Sequence, residues 1–127
     1  MRIEHIALWT SDLERMKEFY MKFFSGKSGD KYHNRNTGFE SYFITFDTGA
    51  RLEIMTKPSV MEDDKDCIRR GYAHLAFSVG SREEVDGLTN ILRDSGYMVL
   101  SEPRITGDGY YESCIADPDG NTIEISV

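Results

Sequence analysis

The opening run IEHIALW alternates apolar and polar positions with period two, which predicts a strand. Ser11-Asp12-Leu13-Glu14 follows as a capping-box pattern, with Ser11 as N-cap and Glu14 three residues on. Leu13, Met16, Phe19, Tyr20 and Phe23 then recur at helical spacing, and Gly26 supplies a stop. Residues 27–40 show no period and read as a loop. Beyond them Tyr42, Phe43, Ile44 and Phe46 lead to a turn at Asp47-Thr48-Gly49, and ARLEIM reads as the next strand.

The same order then recurs. YAHLAFSV alternates like the first strand, and Ser81-Arg82-Glu83-Glu84 is a second capping-box pattern, offset by 70 residues from the first. Val85, Leu88, Ile91 and Leu92 keep helical spacing up to Gly96, again offset by 70. YMVL and GYYESCIA read as strands, Asp117-Pro118-Asp119-Gly120-Asn121 as a turn, and NTIEISV as the last strand. Gly49 and Gly120 stand 71 apart, so the hairpin that ends each half is itself repeated. The pattern predicts an α+β fold of two βαβββ modules, residues 1–56 and 72–127, joined by the polar segment 57–71. A single domain over 1–127 is expected, because each half alone is too short to bury its sheet face.

Composition narrows the function classes. With 127 residues, 39 % hydrophobic and 12 % aromatic, the chain has enough apolar surface for a packed core. A net charge of −7, with Arg69–Arg70 the only adjacent basic pair, argues against nucleic acid as a partner. No apolar run approaches a membrane span, and the first residues turn polar too soon for a signal peptide, so a cytoplasmic protein is expected. Cys67 and Cys114 lack CxxC spacing and are read as incidental thiols.

Candidate chemistry lies in the repeat. His5 and Glu53 are 48 residues apart, and His74 and Glu124 are 50 apart. Strand alternation puts His5 on a face with Ile3, Ala7 and Trp9, and His74 on a face with Tyr72, Ala76 and Ser78. Leu52 and Ile54 lie opposite Glu53, and Ile123, Ile125 and Val127 opposite Glu124. Glu4 falls with Ile6 and Leu8 on the other side of the first strand. A sheet curled so that the His and Glu face is concave would bring all four side chains to one cleft. Buried carboxylates need a partner or a metal, and mixed imidazole and carboxylate ligands suit a divalent cation.

The chain resembles the vicinal oxygen chelate superfamily, and within it glyoxalase I-like (lactoylglutathione lyase-like) proteins. EHIAL and AHLAF at the two strand starts, LEI and IEI at the later strands, and DPDGN before the last one carry the resemblance, which covers essentially the whole chain. It implies paired βαβββ modules forming one curved, mixed, eight-stranded sheet with flanking helices. It implies a divalent metal (Zn, Ni, Co, Mn or Fe) held by His5, Glu53, His74 and Glu124, with water in the remaining positions. A homodimer is implied, with the ligands drawn from one chain or from two. The implied activity is that of a lyase or isomerase on a small α-oxo or hemithioacetal substrate, moving a proton through a metal-stabilised enediolate. Glu124 would be the base, Glu53 the second choice, and both His would only bind metal.

The sequence departs from glyoxalase I-like proteins at two positions that help to hold glutathione, where this chain has Trp9 and Lys57. These become candidate substrate residues: Trp9 gives a flatter, more apolar wall, or else packs in the core or a dimer contact, and Lys57 supplies charge. The resemblance leaves two alternatives. One is a non-catalytic drug-binding protein similar to the bleomycin-resistance proteins, against which all four ligand-type residues argue. The other is a thiol transferase or extradiol dioxygenase, which would use two His and one Glu. Arg104, Tyr110 and Tyr111 are weaker candidates for the cleft mouth, and His33 sits in an aperiodic loop without a repeat counterpart.

Overall fold

The computed structural model describes residues 1–61 and 71–127. Cys67, Arg69, Arg70 and most of the expected joining segment lie outside the described residues. The chain divides into two compact units, Met1–Asp64 and Lys65–Val127.

The first unit runs β1 (His5–Trp9), α1 (Leu13–Phe23), β2 (Lys27–Ser28), β3 (Tyr32–Asn34), β4 (Phe39–Thr45) and β5 (Arg51–Thr56). β1 pairs parallel with β5, β5 antiparallel with β4, and both β2 and β3 pair antiparallel with β4. The second unit runs β6 (Leu75–Ser78), α2 (Arg82–Asp94), β7 (Val99–Ile105), β8 (Tyr111–Ala116) and β9 (Thr122–Ser126), in the sheet order β6-β9-β8-β7. β6 and β9 are parallel, as β1 and β5 are.

The α+β class, the mixed sheets and the repeated order of elements agree with the sequence reading. The expected single eight-stranded sheet does not: the described residues form nine strands in two sheets. The extra strand comes from residues 27–40, a loop-like stretch in which the βαβββ order places one strand and the structure has two. Two short segments there find partners on one long strand, β4, and runs of two and three residues are too short to show a period.

Each helix buries one stripe against its sheet. In α1 this is Leu13, Met16, Phe19 and Tyr20, over Ile44, Leu52 and Ile54. In α2 it is Val85, Thr89 and Leu92, over Ile115, Ile123 and Ile125. Ile91, expected on that stripe, is 56 % exposed. At 100° per residue it lies well off the line through 85, 89 and 92. Thr89 takes the core place because its hydroxyl is satisfied twice, donating to the Val85 carbonyl at 2.6 Å and sharing a hydrogen bond with Ser113 at 2.7 Å.

The helix ends show one success and one displacement. Ser81 caps α2, its hydroxyl accepting from the Glu84 N–H at 3.2 Å. In α1 the cap is Asp12 rather than Ser11, its carboxylate accepting from the Arg15 N–H at 3.0 Å. Buried Thr10 sets this register, its hydroxyl accepting from the Asp12 N–H at 3.1 Å. Glu14 is thereby freed from capping and accepts from the Tyr42 hydroxyl at 2.9 Å and from Lys17 and Lys31. Gly96, at φ +88°, ends α2 in the left-handed region. After α1 that conformation falls to Ser25 (φ 54°), and Gly26 serves close approach instead. A Cβ on Gly26 would stand 2.5 Å from Ile44 Cγ2 and 3.1 Å from the Tyr20 carbonyl oxygen.

Candidate metal centre

The parallel pairs place the candidate ligands at one register in each unit. Ala7 lies opposite Glu53 across β1 and β5, and Ala76 opposite Glu124 across β6 and β9. On the far side of each carboxylate strand Phe43 faces Glu53, and Cys114 faces Glu124. The flanking Leu52, Ile54, Ile123 and Ile125 turn into the core. Both carboxylates are therefore held on the opposite, more open face, with their side chains 16 % and 19 % exposed.

His5 Nε2 stands 3.9 Å from Glu53 Oε2, and His74 Nε2 stands 3.5 Å from Glu124 Oε2. The first separation is too long for a hydrogen bond. Two donors on one ion, each about 2.1 Å from it, would stand about 3.0–3.4 Å apart. Both pairs come within a small side-chain rotation of that spacing. The structure thus joins His5 to Glu53 and His74 to Glu124, with two of the four candidate ligands in each unit.

The surroundings of the two pairs differ. His5 Nδ1 is hydrogen-bonded to the Glu4 carboxylate, which also takes the Arg51 guanidinium. His5 first, and then Arg51, hold the Glu4 carboxyl below the usual carboxylate range against the opposing effect of burial. A carboxylate on Nδ1 keeps the proton there and leaves the Nε2 lone pair facing Glu53, the arrangement that commonly supports a metal-binding His. Glu4 was missed by the sequence reading because alternation assigns it to the other side of the strand. Regular pairing begins only at His5, so alternation does not bind the residue before it. The Arg51 guanidinium also lies 4.1 Å from the Phe43 ring centre, and His5 meets the same ring edge-on at 5.4 Å.

In the second unit Ala73 precedes His74, so that position offers no acid. Ligand atoms of Glu112, Cys114 and Glu124 instead lie within 4.8 Å of one another. Arg104 Nη2 is 3.7 Å from Glu112 Oε1. Burial, followed by the charge of Glu124, pushes the Glu112 carboxyl up; burial, followed by Glu112 and Glu124, pushes the Cys114 thiol up. The sequence does not single out Glu112, and it reads Cys114 as an incidental thiol. Their signal is the 71-residue offset, which makes Glu112 the counterpart of Ser41, and Cys114 that of Phe43.

The remaining candidates separate. Trp9 and Lys57 meet, the Lys57 ammonium lying 4.9 Å from the Trp9 ring centre. Trp9 is 45 % exposed, so within this chain it is not a core residue. Tyr111 donates to Asp86 on α2 at 2.7 Å, a tie between helix and sheet. His33 lies on β3, its Nδ1 3.9 Å from a Glu40 oxygen. No helix among the described residues is long and apolar enough to cross a membrane.

A family model described as the Glyoxalase/Bleomycin resistance protein/Dioxygenase superfamily matches residues 2–125. The uncharacterized protein YqjT of Bacillus subtilis is 28 % identical over 130 residues, covering 97 % of this chain and 96 % of that protein. Lactoylglutathione lyase GLX1 of Arabidopsis thaliana is 30 % identical over 132 residues; the match takes in 98 % of this chain but only 43 % of the plant protein. Two solved structures share the fold. A glyoxalase family protein from Enterococcus faecalis superposes with a TM-score of 0.82 at 23 % identity, over 99 % of this chain and 97 % of its own. Glyoxalase I from Zea mays does so with a TM-score of 0.82 at 22 % identity, over 98 % of this chain and 44 % of its own. From the match across almost its whole length, and the repeated pairing of strands beneath the two His–Glu pairs, the chain belongs to the glyoxalase/bleomycin resistance protein/dioxygenase superfamily.

Proposed function

We propose that the protein is a divalent-metal-dependent lyase or isomerase of small α-oxo or hemithioacetal substrates, with His5, Glu53, His74 and Glu124 as ligands. The observation that carries this reading is the duplicated pair: an imidazole nitrogen 3.9 Å and 3.5 Å from a carboxylate oxygen, at the same register in both units. The donor set of two neutral imidazoles and two carboxylates fits Zn, Ni, Co, Mn or Fe. The two halves would work as one domain in a homodimer.

When bound, the metal would supply Lewis acidity. His5 and His74 bind and orient. Glu53, paired across the strands with Phe43, would stay in place. Glu124 faces Cys114, with the Glu112 carboxylate nearby, and like charge favours the release of one carboxylate. It would take the proton from one substrate carbon and return it to the next.

The test is metal analysis of the natively purified chain, followed by turnover of methylglyoxal hemithioacetals of several thiols with the metal found. Glu124→Gln is expected to lower kcat by at least about a hundredfold. Absence of turnover with every adduct in the metal-loaded protein refutes the lyase reading.

A further inference from the structure

Beyond the candidate ligands, the same face of the first unit carries a second group of side chains. Trp9 pairs with Met55, two residues past the level of Ala7 and Glu53, which is about 7 Å along the strand. Phe39 meets the Trp9 ring edge-on at 6.1 Å, and Tyr32 lies against Phe39 at 6.0 Å. Lys17, Lys27 and Lys31 each have a carboxylate within 4 Å. Lys57 has none among the described residues, and its cation rests on the Trp9 face. Next to it opens a cleft of about 360 Å³, lined by Ser11, Gly38, Thr56, Lys57, Pro58 and Val60. Gly38 keeps one wall low: its φ is +70°, and a Cβ there would stand 3.0 Å from the Pro58 ring.

We infer that this cleft, with the Trp9–Phe39 pair beside it, is a subsite for a ligand with a single carboxylate and a flat apolar part, the carboxylate in the cleft on Lys57 and the flat part outside it against Trp9 and Phe39. One cation without a carboxylate partner among the described residues, in a lining that includes Ser11 and Thr56, matches one compact anion. A second anionic arm would find no second cation in the lining. The short reach from Glu53 suits a small thiol adduct, not a dicarboxylic tripeptide. This assignment of the substrate class rests on the lyase reading only for the word thiol; the anion subsite stands apart from it.

Trp9 is the only tryptophan, and its ring carries the Lys57 cation that lines the cleft, so intrinsic emission reports from beside the cleft. The full-length chain is titrated with 3-phenylpropionate, the neutral 3-phenylpropanol and the dianion phenylsuccinate. The monoanion is expected to shift the emission at a concentration about fivefold lower than the alcohol, the advantage of one exposed ion pair. Phenylsuccinate should bind no more tightly than the monoanion. Lys57→Met should abolish the preference and Lys57→Arg retain it. Equal binding of acid and alcohol, tighter binding of the dianion, or a preference that survives Lys57→Met overturns the inference. Kinetics separate the two readings. The 3-mercaptopropionate adduct should show a lower KM than the 2-mercaptoethanol adduct with similar kcat, and Lys57→Met should raise only the former KM. If the emission preference holds while no adduct turns over, the lyase reading falls and the subsite stands; turnover without the preference gives the reverse.

Discussion

Glu4 is where the proposed centre is most open to attack, since the structure gives it one purpose there. It holds His5 through Nδ1 and is itself held by Arg51. Replacing it with Ala leaves the His5 proton free to move to Nε2, the nitrogen that faces Glu53. Loss of such a partner of a metal-binding His typically costs ten- to a hundredfold in metal affinity. The Glu4 and His5 side chains are 51 % and 40 % exposed, so water replaces part of the contact and the lower end, about tenfold, is expected. Glu4→Gln keeps an acceptor oxygen and should lose less than Glu4→Ala. The assay is competition for Zn²⁺ or Ni²⁺ against a chromophoric chelator at neutral pH, with thermal melting of the metal-free proteins as the control for folding. Unchanged metal affinity in Glu4→Ala, where His5→Ala abolishes binding, refutes the role. So does a fall in metal-free stability large enough to account for the loss.

Three further outcomes are expected from the packing. Glu14 is held down to about 2 by hydrogen bonds from Lys17, Lys31 and Tyr42. A depressed carboxylate stabilises the fold above its unfolded value of 4.5 and loses that contribution as the pH falls towards about 2. Because its side chain is 48 % exposed, Glu14→Gln should cost at most about 1 kcal/mol at pH 7, with the gap closing in acid, as read by urea unfolding across pH. Thr89→Val should cost about 1–3 kcal/mol by leaving the buried Ser113 hydroxyl unpaired, whereas Ser113→Ala leaves Thr89 its bond to Val85 and should cost less; a double mutant costing the sum of the two would contradict the pairing. Gly26→Ala should cost about 1–3 kcal/mol from the clash with Ile44 Cγ2, and an unchanged melting temperature would show that the strand simply moves away.

What the sequence made legible is what repeats with a period. Alternation placed His5, Glu53, His74 and Glu124 on the non-core face, and the burial of Leu52, Ile54, Ile123 and Ile125 opposite the two Glu agrees. Helical spacing found α1 and α2. The misses share a cause: each depends on a partner distant in sequence. β2 and β3 exist because β4 is long enough to pair with both. The cap of α1 moved one residue because Thr10 is buried and holds the Asp12 N–H. β7 runs on past YMVL to Ile105, with its register shifted between Val99 and Arg104; Pro103, which cannot donate to a ladder, is accommodated there because β7 is an edge strand. Glu4, Glu112 and Cys114 join the site through cross-strand or side-chain contacts that no local period marks.

The two halves keep the same His, Glu and strand register, with Ala7 and Ala76 opposite the two Glu, while several other neighbours of those residues have diverged. Glu4 before His5 corresponds to Ala73, Ser41 to Glu112, Phe43 to Cys114 and Trp9 to Ser78. The first half thus surrounds its pair with aromatic rings, a positioned acid and two cations, Arg51 and Lys57. The second surrounds its pair with a second carboxylate, a thiol and small side chains. A site required only to grip an ion would have no need of this asymmetry, because a symmetric donor set serves that as well. On the proposed reading, an apolar, cationic wall in one half and an acidic, less encumbered carboxylate in the other would divide the labour: the first would bind and orient an anionic ligand, and the second would move a proton. This division predicts that substitutions at Trp9 and Lys57 act on KM, and substitutions at Glu124 and Glu112 on kcat. Interchange of those effects in the measured kinetics would show that the division is not the one the protein uses.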